Sequence, residues 1–429
     1  MAKILILNID NASAWGVSRQ LWTLDEGDIV ISPMPIDARH LEYIGQTLGF
    51  DASTVSVLPG NQRLTDEHDE YLSPGFAALA GELEKLLDRS PSWDIVPCQY
   101  TVGVAELAVQ LGFPLDGALR FAAQRGPELL NRKSHFRQLA VGAGVPIAEG
   151  SVVVSAAALA KALERHMPKT GTVIVKRDNS MAGRGNITVT RASATPMPGS
   201  RETWQTNGDF QATAAALWDG LTDDRSRTLV VEAYHEATHC LWFEFLIDEW
   251  GRPALRHSGT FRRRQDTDPT KPALVWVGLD LPAELPALSA ANAMLLTTQL
   301  VNLCAQVGYR GYVNVDAILT PDEGILINEI NARWGGGLVV DVVGRRLIGK
   351  YYADEHVVSS SSDIPPISLT GALKILHTRE LHYSPESQEG VVVISSDTKV
   401  MECAVIAENR RRSREIEAEF RKAVTEALQ

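Results

Sequence analysis

Cysteine is scarce in this chain. Four are spread over 429 residues, at Cys98, Cys240, Cys304 and Cys403, with no CxxC pair. That spacing opposes a disulfide framework and a structural zinc, and points to a reducing cytoplasmic compartment. Positive charge is also short. A formal net charge of −12 argues against general nucleic-acid binding, which needs a basic face. No apolar run is expected to span a bilayer, and the opening Met-Ala-Lys-Ile-Leu reads as a strand and not as a signal peptide. Ten histidines contain no HExxH. No GxGxxG follows the first apolar run, no GxxxxGK[ST] occurs, and no repeat is evident. Dinucleotide binding by the glycine fingerprint and a Walker A site are therefore not indicated.

What is present is an alternation of short apolar runs and amphipathic segments. Lys3–Ile9, Ile29–Ile31, Thr54–Leu58 and Asp94–Val96 read as strands; Ala38–Leu48, Phe76–Leu87 and Val102–Leu111 read as helices. That order predicts a doubly wound α/β domain over residues 1–124. Asn8, Asp10, Asn11, Ser13 and Trp15 follow its first strand, where such folds place ligand loops; capping and turn chemistry explain them equally well. A basic amphipathic helix, Leu129–Val141, opens a second unit, 125–227. There the strand Thr172–Lys176 leads through a Gly-containing loop, RDNSMAGRG, into Ile187–Thr190. Backbone N–H groups free of side-chain bulk can cover phosphates in such a loop.

A third unit, 228–364, begins with Thr228–Tyr234 and His239–Asp248 as strands and continues through Leu255–Arg264 into three arginines, Arg262, Arg263 and Arg264. Ala287–Val307 is a long helix. Ser359–Ser362 reads as a connector. The tail, 365–429, is expected as a small domain with strands at Ala372–Leu376, Val391–Ser395 and Val400–Ile406 and a closing helix, Arg410–Leu428.

The densest chemistry lies in Tyr312–Gly337, YVNVDAILTPDEGILINEINARWGGG. Two β-patterned runs flank a Pro-Asp-Glu-Gly turn, a hairpin signature. Alternation places Glu329 and Asn331 on one side, and an antiparallel partner brings Asp316 near both. Two carboxylates and an amide oxygen are hard ligands suited to magnesium that also holds phosphates. Arg333 follows, and an arginine beside such a cluster suits a transferring phosphoryl group. A solvated acidic hairpin is the alternative.

This string, NVDAIL…GILINEINARWGGG, resembles the metal-binding signature of the ATP-grasp superfamily. The resemblance spans roughly residues 125–364 and implies α+β ATP-grasp subdomains behind an α/β domain, with ATP and Mg²⁺ (two ions; Mn²⁺ as a substitute). It implies that Lys133 and Lys176 contact phosphates, that Ser180, Gly183 and Gly185 belong to the covering loop, and that Glu232, Ala233 and Tyr234 line the adenine. Glu236 or His239 falls to the ribose. Asp316, Glu329 and Asn331 match the metal ligands, and Arg333 the arginine on the transferred phosphoryl group. The NIDNASAW segment and the tail LHYSPESQEGVVVISSDTK…ECAVIAENR resemble peptide ligases of the pheganomycin type. The resemblance implies an ADP-forming carboxylate–amine ligase acting on small-molecule or peptide substrates, with a homodimer by analogy and neither nucleic acid nor membrane as partner.

No nucleophile–base pair is evident, which fits phosphoryl activation of a carboxylate. The acid needs a cation, for which Arg262, Arg263 and Arg264 are candidates, with His257 and Arg310 behind them. Loading of a carrier protein, a kinase reaction and a non-catalytic ATP-binding module remain the alternatives.

Overall fold

The computed structural model describes residues 2–8, 14–60, 64, 74–87, 93–180, 183–192, 195, 197–224, 226–265, 274–396 and 400–429. Asp10, Asn11 and Ser13, the side chain of Trp15 and two positions of the Ser180–Gly185 loop lie outside them.

The N-terminal domain is a parallel sheet of β1 (Lys3–Ile6), β2 (Ile29–Ser32), β3 (Ser56–Pro59) and β4 (Asp94–Pro97), in the order β3-β2-β1-β4. Its strands are apolar at successive residues because both faces are covered. Ile4, Ile6, Ile29 and Ile31 pack under Phe76, Leu83 and Leu107. Leu5, Leu7 and Val30 point the other way, toward Trp22, Leu41 and Ile44.

The second unit carries β5 (Gly150–Val153), β6 (Thr172–Arg177), β7 (Asn186–Thr190), β8 (Glu202–Gln205) and β9 (Leu229–Ala233), in the order β5-β9-β6-β7-β8. Helices Ala156–Thr170 and Phe210–Leu221 cover it.

An eight-stranded sheet completes the fold. It contains β10 (His239–Ile247), β11 (Pro253–Gln265), β12 (Leu274–Leu281), β13 (Gly311–Leu319), β14 (Ile325–Asn331), β15 (Val357–Ile364), β16 (Gly390–Ser396) and β17 (Met401–Ala407). The order is β14-β13-β10-β11-β12-β15-β17-β16, antiparallel throughout. One face buries Phe243, Phe245, Val313 and Val315 against Ala293, Leu300 and Cys304 of helix Ala287–Gln306. The other joins Trp242, Leu279 and Ile406 to the N-terminal core.

Four expectations are corrected here. Ser359–Ser362 is not a connector but the middle of β15, where Ser359, Ser360 and Ser361 are fully buried between β12 and β17. Two of the hydroxyls are satisfied there: Ser360 accepts from the Leu279 amide at 3.1 Å and Ser361 donates to Glu417 at 2.8 Å. The sheet therefore runs straight across the boundary expected at residue 364. Ala372–Leu376 is part of helix Leu369–Thr378, capped by Ser368 accepting from the Gly371 amide. The single helix expected over Leu129–Val141 breaks at Arg132, whose φ/ψ of −85°/130° is extended, giving Gly126–Asn131 and Lys133–Gly142. Finally, helix Ala287–Gln306 is long and apolar enough to cross a membrane by length and composition, contrary to expectation, and packs one face on the sheet.

Candidate active site

The break at Arg132 positions a key lysine. Asp178, just past β6 and buried, takes the place of a local cap: its carbonyl accepts from the Lys133 amide at 3.1 Å and its carboxylate from the Ser134 amide at 2.7 Å. The helix thus starts at Lys133, whose ammonium reaches the Ser180 carbonyl at 2.7 Å and Glu329 Oε2 at 2.9 Å. That ion pair joins the second unit to the acidic hairpin.

β13 and β14 pair with Asp316 directly opposite Glu329 and Asn314 opposite Asn331. A bulge follows at once, because Ala317 faces Ile327 and Asn328 is left over. The bulge keeps Asp316, Glu329 and Asn331 together while Ile327 and Ile330 stay in the core. Asn314 donates to Asp316 at 2.7 Å, and Arg333 donates to Asn331 Oδ1 at 2.7 Å. Burial pushes the Asp316 carboxyl up, and the facing Glu329 charge pushes it further. Burial works against Glu329 ionising as well, but Lys133 outweighs it and holds that carboxylate low. Two carboxylates set face to face at a buried position repel each other until a cation lies between them. The donor set is all oxygen, which fits Mg²⁺ and not zinc. Among the described residues no cluster of three histidines, cysteines or carboxylates exists, so an amide oxygen has to complete the set.

Lys176 ends β6 and is also held by a carboxylate. Its ammonium lies 2.5 Å from Glu232 Oε2, and Arg137 lies 2.5 Å from Glu232 Oε1. Burial would raise the Glu232 carboxyl, yet Lys176 and then Arg137 hold it below its ordinary value. Glu232 therefore anchors Lys176. The amides of Ala233 and Tyr234 donate to the Glu149 and Thr172 carbonyls at 2.8 and 3.0 Å, so those two donors serve the sheet. Glu236, in the connection after β9, and His239, the first residue of β10, are exposed. In the covering loop, Gly183 is left-handed at φ 69°. At Gly185 a Cβ would meet the Ser180 and Arg177 Cβ atoms at 2.5 and 2.7 Å.

A bulge between Arg262 and Arg263 interrupts the alternation of β11, and all three arginines line one cavity beside the C-terminal helix. Arg262 turns toward the C-terminal helix, with Ser360 O and Glu417 each at 2.6 Å, and Arg264 pairs with Asp363 at 3.0 Å. Arg263 lines the same cavity, and its charge acts on Tyr234 and Cys240; Cys240 in turn feels Asp316. His257 is in the core, edge-on to Trp242 with ring centroids 4.9 Å apart, and burial pushes its pKa well down. Arg310 fastens a loop end by donating to the carbonyls of Glu249, Ala305 and Tyr309. Neither His257 nor Arg310 is brought to the carboxylates. Asn8 also serves the fold, joining the Leu64 and Gln99 carbonyls at 2.8 and 2.6 Å.

Three residues of the site escaped the sequence reading: Asp178, Arg137 and Glu244. Glu244 is fully buried between His257 and Asn314 and accepts from the Gly335 amide at 2.9 Å. It sits in an alternating apolar strand, HCLWFEFLI, so a carboxylate on the buried phase is its signal. Burial raises its pKa to about 8. Because the folded value exceeds the unfolded one, its contribution to stability is complete below the ordinary glutamate range. It is lost as pH rises toward 8, with a slope of about 1.4 kcal/mol per pH unit for one proton. The Glu244→Gln variant should lose this slope. Urea titrations of both proteins at pH 5 and pH 8 will show it, and parallel losses would refute the assignment.

Residues 17–113 match the family model described as the Pre ATP-grasp domain, and residues 371–419 match the PGM1 C-terminal domain. No curated protein matches. Among solved structures, the chain resembles N5-carboxyaminoimidazole synthase from Aspergillus clavatus in complex with ADP and 5-aminoimidazole ribonucleotide. Identity is 14%, coverage 99% of both chains and TM-score 0.57. It also resembles biotin carboxylase from Campylobacter jejuni in its β,γ-ATP complex, at 15% identity, 96% and 88% coverage and TM-score 0.60. A third is the biotin carboxylase domain dimer of the Hydrogenobacter thermophilus 2-oxoglutarate carboxylase with MgADP and bicarbonate. Identity there is 13%, coverage 95% and 86%, and TM-score 0.56. The chain has the ATP-grasp layout: a parallel α/β domain followed by two α+β units, the second with a large antiparallel sheet.

Proposed function

We propose that this chain is an ATP-dependent ligase that joins a carboxylate to an amine through an acyl phosphate and releases ADP and phosphate. The observation that carries the reading is the Lys133–Glu329 contact at 2.9 Å, with Asp316 across from Glu329 and Arg333 on Asn331. Cations from one unit and a metal-type carboxylate pair from the other meet at one place, as transfer of a phosphoryl group requires.

Asp316, Glu329 and Asn331 would hold Mg²⁺, two ions in the reading, with Mn²⁺ as a substitute. Bound there, the metal supplies neutralisation of phosphate charge. Lys176, held by Glu232, and Lys133, held by the Ser180 carbonyl, present ammonium groups to the phosphates of ATP. Arg333 stands next to the carboxylates, where charge develops on the moving phosphoryl group. The acid attacks the γ-phosphorus through a carboxylate oxygen. This replaces an oxide, which cannot leave, by phosphate, which can. The amine then adds to the carbonyl carbon, and phosphate departs as the amide forms. Of the arginine run, Arg263, whose charge reaches Tyr234 and Cys240, is the candidate for orienting the acid. Its neighbour Arg262 is tied to Glu417 of the C-terminal helix, and Arg264 to Asp363 of β15.

The finer reading is a peptide bond in specialised metabolism. It rests on the resemblance of the NIDNASAW segment and the tail to pheganomycin-type ligases. It implies small-molecule or peptide substrates, a cytoplasmic setting and a possible homodimer. The test is phosphate release from ATP with candidate acids and amines supplied singly and together. Release only with both present supports the ligase. AMP and pyrophosphate as products would replace the acyl phosphate by an adenylate. Dependence on a carrier protein would move the acceptor from an amine to a carrier thiol, with a thioester as product.

A further inference from the structure

We propose that the cavity between β11, β12 and the C-terminal helix Arg410–Leu428 binds a compact oxyanion with two or more negative charges, a phosphate monoester or a dicarboxylate. The cavity measures about 440 Å³. Six arginines line it, Arg262, Arg263, Arg264, Arg410, Arg414 and Arg421, against two carboxylates, Asp280 and Asp363. In a protein of net charge −12 this is a local reversal of sign, which concentrates small anions.

The carboxylates that accompany these arginines are shared. Asp280 faces Arg262, Arg410 and Arg414 at 3.8, 3.4 and 2.5 Å. Glu417, beneath them, faces Arg262, Arg414 and Arg421 at 2.6, 3.6 and 3.0 Å. A carboxylate divided among three guanidiniums leaves N–H capacity over. Arg414 Nη1 has no hydrogen-bond partner, and Arg263 has no ion-pair partner among the described residues. Guanidinium forks match the oxygen spacing of phosphate and carboxylate, so the residual donors favour an oxyanion over chloride.

The helix supplies a second argument. Arg410, Arg411, Arg412 and Arg414 fall in its first five positions, and its first turn has no acidic residue. The amino end of a helix already carries partial positive charge, so acids are favoured there and arginines are not. A basic first turn raises the energy of the free protein, and a bound anion relieves it. Sequence reading singled out only the Arg262–Arg264 run. The C-terminal arginines join it across roughly 150 residues, as in the 3.3 Å contact of Arg410 with Thr260. An adjoining cavity of about 410 Å³ shares His239, Thr260 and Arg410 and provides a way in.

The binding needs no turnover, so it is measured apart from the ligase reading, which shares only Arg263 with this cavity. Calorimetry with inorganic phosphate and with succinate, each against acetate at matched ionic strength, will test it. A dissociation constant below about 1 mM is expected for at least one dianion. Tighter phosphate assigns the site to a phosphoryl-bearing ligand, and tighter succinate to a dicarboxylate. Arg414→Gln and Arg263→Gln should each weaken binding about tenfold, while Lys176→Gln should not. If Arg414→Gln fails to fold, Arg263→Gln carries the test, since that side chain has no ion pair among the described residues to lose. Neither dianion binding better than acetate overturns the proposal. So does binding that survives both arginine changes, or that disappears with Lys176→Gln.

Discussion

Glu329→Gln should lower ATP-dependent turnover by about a hundredfold or more while leaving the melting temperature within a few degrees of the parent. The glutamine keeps the shape of the side chain and retains an oxygen for Lys133, which lies 2.9 Å away and is also held by the Ser180 carbonyl. What is lost is the negative charge. Facing Asp316 across the strand pair, that charge makes the position repulsive without a cation and tight with one. Folding should suffer little, because relief of the repulsion with Asp316 offsets the loss of the Lys133 ion pair. Metal dependence should change most: the magnesium concentration for half-maximal rate rises, and excess metal recovers only part of the rate. Steady-state ADP release across a magnesium series, with a thermal melt of each protein, will show it. Unchanged turnover would remove Asp316, Glu329 and Asn331 from the metal site together.

The hairpin was legible because its information is local. Asp316, Glu329, Asn331 and Arg333 lie within eighteen residues, and alternation with one hairpin pairing is enough to bring Asp316, Glu329 and Asn331 together. Lys176 at a strand end and the glycines after it were legible for the same reason. What was hidden depends on distance. Asp178 caps a helix that begins 45 residues earlier, and nothing near Lys133 announces it. Glu232 reads from the family pattern as an adenine contact, but Lys176 and Arg137 take both its oxygens. Ser359–Ser362 looks like a linker because polarity is the only cue within the segment. Its burial is decided by β12, β17 and the C-terminal helix. The arginine run misled through its compactness. Three like residues invite one role, yet Arg262 is engaged by Glu417 and Arg264 by Asp363, while Arg263 has no ion pair among the described residues.

The three glycines after Trp334 should respond in three different ways to alanine, and Gly337→Ala should be the most damaging. A Cβ there would lie 2.1, 2.4 and 2.5 Å from three carbons of the Trp242 indole. That ring cannot step aside. It is 1% exposed, packed in the core shared with the N-terminal domain, and set edge-on to His257 at 4.9 Å. Overpacking against a fixed aromatic costs about 1–3 kcal/mol and often more, so a loss of about 3 kcal/mol is expected. At Gly335 the obstacle is a single atom, Glu244 Oε2 at 2.0 Å, with Asn314 Oδ1 next at 2.7 Å. A carboxylate can rotate, but only by giving up the Gly335 amide at 2.9 Å. Gly335→Ala should therefore be moderately destabilising and should loosen Arg333, two residues away. Gly336 is exposed, and a Cβ there has only Arg19 Nη1, at 3.9 Å, within reach. Gly336→Ala should stay within about 0.5 kcal/mol of the parent. Denaturant melts of the three variants give the order directly. A Gly336 variant as unstable as the Gly337 variant would mean that backbone freedom, and not the approach of Trp242 and Glu244, is what this turn requires.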